Sequence, residues 1–70
     1  MAMASNGFDM YLRFTDAQGK SVVREHRVWD KELFLKARQD DAAKENAKEK
    51  STKAKAEHIT REQYLQERTK

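Results

Sequence analysis

The residue types that could do chemistry are few and scattered. His26 and His58 lie far apart, the chain has no cysteine, and no carboxylate cluster stands at metal-ligand spacing, so neither a zinc site nor any other cofactor is expected. Asp40 and Asp41 are adjacent carboxylates on a solvated helix face rather than a positioned acid and base. Gly7 and Gly19 are the only glycines, which rules out a glycine-rich phosphate loop, and no nucleophile stands with a base and an orienting group. These observations argue against an enzyme. The one ordered arrangement of polar side chains is Asp9, Tyr11 and Arg13, which alternate strictly with Phe8, Met10, Leu12 and Phe14. In an extended strand the two sets point to opposite sides, one for a core and one for recognition or plain solvation.

A strand must be paired on its edges, and this requirement shapes the rest of the reading. The chain has 70 residues, 37% hydrophobic and 39% charged, and its large apolar side chains are concentrated in the first forty or so positions. A domain that small usually needs disulfides, a metal or oligomerisation. With the first two set aside, oligomerisation remains, and pairing with a second copy is expected. No segment approaches the roughly 20 apolar residues of a membrane span, and the N-terminus lacks the pattern of a secretory signal, so a soluble cytoplasmic protein is expected. The net charge of +3 is compatible with nucleic acid, though 12 acidic residues make the chain mixed in sign.

Three helix starts can be read. Thr15 with Gln18 has the form of a capping box, Asp30 is an N-cap flanked by Trp29 and Phe34 at hydrophobic-staple spacing, and Thr60 with Gln63 repeats the box beside Ile59 and Tyr64. Val22, His26, Trp29 and Leu33 fall on one helical face, whereas Gly19 and the β-branched pair Val22-Val23 favour a hairpin. The hairpin reading turns at Asp16-Ala17-Gln18-Gly19 and returns through Ser21 to Trp29. Both readings stay open. From Lys44 to Glu57 nothing is larger than alanine apart from polar side chains, which predicts a charged tail without fixed tertiary structure. The organisation expected is a flexible N-terminus over 1–7, a folded head over 8–45 and a flexible tail over 46–70.

The order of strand, capping threonine, short helix, break and capping aspartate resembles the ribbon-helix-helix DNA-binding proteins. The likeness is closest in Met10-Tyr11-Leu12-Arg13-Phe14-Thr15, similar to the strand of Arc-type repressors. The resemblance implies a mainly α fold with one strand, a β-α-α head forming an intertwined homodimer, and a disordered tail. Phe8, Met10, Leu12, Phe14, Val22, Trp29, Leu33 and Phe34 would form the dimer core. Asp9, Tyr11 and Arg13 would contact bases of double-stranded DNA, with Arg13 giving two hydrogen bonds to guanine. The backbone at Asp30 and Lys31 would hold a phosphate. Antitoxins of this family bind a toxin through a C-terminal extension, and here Ile59, Tyr64 and Leu65 would be the buried anchors. A transcriptional regulator of antitoxin type is the function implied.

A second resemblance links Phe8-Asp9-Met10-Tyr11-Leu12, Gly19, Ser21, His26 and Trp29 to the opening of the type VI secretion tube protein. It implies a hairpin head and an assembly or interaction role without DNA contact.

Overall fold

A computed structural model describes residues 7–69; of the expected flexible N-terminus, residues 1–6 lie outside the described residues. The chain runs β1 (Phe8–Thr15), β2 (Ser21–Val28), α1 (Lys31–Glu49), β3 (Lys55–Ile59) and α2 (Arg61–Arg68). The three strands form one antiparallel sheet in the order β2-β1-β3.

The hairpin reading is the one realised. Gly19 N–H donates to the Asp16 carbonyl at 3.0 Å, and Asp16 N–H donates to the Lys20 carbonyl at 2.8 Å. Gly19 has φ +90. This is a type I turn closed by a left-handed bulge residue, a geometry that favours glycine. The Asp16 carboxylate accepts from the N–H groups of Gln18 and Lys20, both at 2.9 Å, which fixes the turn further. Thr15 is therefore not a helix cap; its hydroxyl meets that of Ser21 across the hairpin at 2.9 Å.

Helix α1 starts where its cap predicts, with Asp30 Oδ1 accepting from Leu33 N–H at 3.0 Å. It ends at Lys50, which takes a left-handed conformation (φ 54) and donates its N–H to the Asn46 carbonyl. The Asn46 side chain then binds both backbone groups of Ala54, accepting from N–H at 2.8 Å and donating to C=O at 2.9 Å. That clamp delivers the chain into β3. Ala54 and Ala56 are buried, and together with Ala42 and Ala43 they line a seam between α1 and β3.

Four expectations are thereby corrected. The fold is a mixed three-stranded sheet with two helices, not a mainly α ribbon-helix-helix head with one strand. Residues 16–29 are turn and returning strand, not a helix. The stretch 46–70 is no disordered tail; its described part ends α1 and contains β3 and α2. Finally, β1 finds partners for both edges within its own chain, so an intertwined dimer is not needed to complete it.

The core lies on the face of β1 that carries Met10 and Leu12, with Val28 beside them and Phe14, Phe34 and Leu35 packed around. Leu12 is fully buried. On the other face α2 lies over β1 and β2, while α1 runs along β3 and sends Phe34 onto His26 of β2. None of the helices among the described residues is long and apolar enough to cross a membrane.

Candidate interaction surface

The polar face of β1 is occupied from within the chain. Helix α2 begins with the expected capping box, Thr60 Oγ1 accepting from Gln63 N–H at 3.1 Å and Gln63 Oε1 from Thr60 N–H at 2.9 Å. Its orientation seats Tyr64 on Tyr11, with ring centroids 5.1 Å apart, and sets Glu67 over Arg13. The Arg13 guanidinium donates through Nε (2.8 Å) and Nη2 to the two carboxylate oxygens of Glu67, and through Nη1 to Glu57 at 2.6 Å. Both carboxylates hold the Arg13 proton more firmly than usual. Asp9 pairs with Arg27 at 3.1 Å across the hairpin. The three residues expected to read bases therefore have protein partners, and Arg13 has used its bidentate geometry on Glu67.

The other sequence-derived sites are dispersed. Asp30 uses its carboxylate as a helix cap, and Lys31 places Nζ 5.4 Å from the centre of the Phe8 ring. Of the expected tail anchors, Ile59 is buried opposite Tyr11 in the sheet, while Tyr64 and Leu65 are half-buried in α2. The expected dimer core divides. Met10 and Leu12 are buried within one chain, Phe14 and Phe34 flank them, and Phe8, Val22, Trp29 and Leu33 stay exposed.

His26 lies between Phe14, at 5.9 Å and edge-on, and Phe34, at 4.9 Å, with Nε2 buried and unpartnered. Burial lowers its pKa from the ordinary value, and Arg24 and Arg38 push it the same way. A neutral imidazole filling an aromatic gap accounts for these features. Among the described residues no group of three histidine, cysteine or acidic side chains is placed to hold a metal.

What the sequence did not single out is the open end of the hairpin. Trp29 is 73% exposed, Leu33 65% and Phe8 53%, and they sit together where β2 passes into α1. Two shallow grooves flank Trp29. One, of about 300 Å³, runs between Phe8 and Lys31, and the other, of about 400 Å³, runs over Val28, Leu33 and Phe34. Exposed apolar side chains are ordinary when single, but these three lie together at one corner. The signal was present in the sequence as a hydrophobic staple, Trp29 with Phe34. In the fold Phe34 turns to the core and Trp29 is left outside.

The corner adjoins an open strand edge. Because Asp16 and Lys20 form a hydrogen-bonded pair, alternation along the ladder points the backbone groups of Ser21, Val23, Glu25 and Arg27 away from β1. Among the described residues β2 is the outer strand on that side of the sheet. Neither family models, curated proteins nor solved structures give a match to this chain.

Proposed function

We propose that this protein is a small assembly module that binds another polypeptide through the apolar corner at Trp29, Leu33 and Phe8 and the adjoining β2 edge. The observation that carries the reading is the joint exposure of those three side chains beside a row of backbone donors and acceptors that β1 does not use. An extended partner could supply both needs at once, with main-chain bonds along β2 and an apolar side chain in a Trp29 groove. The assembly role agrees with the hairpin-headed reading of the sequence. The duplex-binding alternative has less to stand on, since Arg13, Tyr11 and Asp9 are engaged with Glu67, Tyr64 and Arg27.

Selection from a displayed library of random short peptides tests the reading, with Trp29, the single tryptophan, as reporter. Enriched peptides should alternate apolar and polar residues and should shift Trp29 emission to the blue on binding. They should lose affinity for Trp29→Ala. The reading is overturned by a selection that enriches nothing, together with Trp29 emission that stays the same at every protein concentration.

A further inference from the structure

We infer that the polypeptide this surface takes is a second copy of the same chain, with β2 pairing antiparallel to β2 about a two-fold axis through His26, so that Glu25 of each copy lies opposite Arg27 of the other. The inference rests on the reading of the corner and open edge above and specifies the occupant. It follows from which registers the strand chemistry allows.

Two strands related by a two-fold axis normal to their sheet pair some residue with its own counterpart. Centring on Glu25 or on Arg27 sets like charges directly opposite, and centring on Arg24 does the same with two guanidinium groups, each of which disfavours the pair. Centring on His26 avoids all three. It also satisfies the ladder. His26 directs its backbone groups inward to Met10, whereas Glu25 and Arg27 direct theirs outward, so those two become the hydrogen-bonded positions of the new pairing.

The side chains agree with that register. Opposed residues share a face, so Glu25 meets Arg27 of the second copy twice across the axis, joining the existing Arg27–Asp9 pair. Glu25 makes no salt bridge of its own among the described residues. One step further, half-buried Val23 comes opposite the end of β2, which exposed Trp29 follows. On the other face His26 lies at the axis, packed between Phe14 and Phe34 of its own chain, and Arg24 comes opposite Val28 of the second copy. Among the registers centred on Arg24, Glu25, His26 and Arg27, charge complementarity thus favours His26, and the ladder permits it. The product is a six-stranded sheet with a β3 strand at each end.

Mixing two charge reversals tests this without touching the core. Sedimentation of the native chain from micromolar to millimolar concentration should show a reversible dimer. Glu25→Arg alone and Arg27→Glu alone should each weaken it at least about tenfold, since each places like charges at both symmetric positions. An equimolar mixture of the two variants should recover association, because only the mixed dimer restores Glu opposite Arg at both positions. Amide exchange at Glu25 and Arg27 should slow with concentration. A native monomer at millimolar concentration, or a mixture no tighter than its components, overturns the inference. If peptide selection still enriches sequences that shift Trp29, the assembly reading stands with a different occupant; if that also fails, both fall.

Discussion

At the scale of single residues, Arg13 shows how position in a fold reassigns a side chain's chemistry. The alternation of β1 was legible, and it correctly separated Met10 and Leu12 from Asp9, Tyr11 and Arg13. What covers the second set was not, because Glu67 lies 54 positions away and no local pattern links the two. Replacing Arg13 by alanine would remove the cation that Glu57 and Glu67 share, at a site whose side chains are about a quarter to a third exposed and where Lys55 still approaches Glu57 at 3.8 Å. Solvent screening keeps the loss modest, at about 1–2 kcal/mol of stability. Urea unfolding should show this as a lower midpoint with an unchanged slope, and duplex DNA should discriminate poorly between the native chain and the variant. A variant as stable as the parent would mean that the guanidinium contributes nothing to holding α2.

At the scale of elements, the caps were the most legible features and the pairings the least. Asp30 and Thr60 start their helices as their neighbours predict, since a cap is decided within four residues. The segment over β2 was ambiguous for a definable reason. Val22 and His26, four apart, share a face in a helix and equally in a strand, so the spacing carried no vote. Gly19 and the Val22-Val23 pair were the better witnesses. Strand β3 was hidden because the buried residues at its start are alanines; Ala54, just ahead of the strand, and Ala56 alternate with Lys53, Lys55 and Glu57 at period two, and neither is large enough to register as core, which leaves Ile59 as its one large buried side chain. Its placement depends on Asn46, whose two bonds to Ala54 tie the end of α1 to the start of the strand. Asn46→Ala should cost about 1–3 kcal/mol, as two partly buried backbone groups lose their partners. Amide exchange should accelerate in β3 before it does in β2, and uniform acceleration would show that the clamp is not local.

At the scale of the whole molecule, the boundary drawn from composition falls inside the fold. A head ending at residue 45 would strip β1 of a neighbour along Tyr11–Thr15 and would remove the tie between Glu45 Oε2 and Ala17 N–H if cut one residue sooner. The Ser51 hydroxyl, which donates to the Ala17 carbonyl at 2.8 Å, binds the same hairpin turn from beyond that boundary. Truncation after Thr52 should therefore abolish cooperative unfolding, which circular dichroism and calorimetry would record as a broad, shallow transition. A truncated chain that melts sharply near the parent's temperature would return the hairpin and α1 to the status of an independent unit. The candidate surface itself was partly legible. Phe8, Trp29 and Leu33 were recognised as apolar and placed in an interface, but their separation from Met10 and Leu12 needed the fold.

The order of strands in the sheet also bears on how the protein is made. β1 is translated before both of its neighbours and sits in the middle, while one of them, β3, follows only after the whole of α1. Until that segment leaves the ribosome, the nascent hairpin carries a bare ladder on each flank, and the only remedy available to it is another chain. Polysomes translating this message would hold several such half-finished sheets close together, so the interval between the hairpin and β3 favours misassembly.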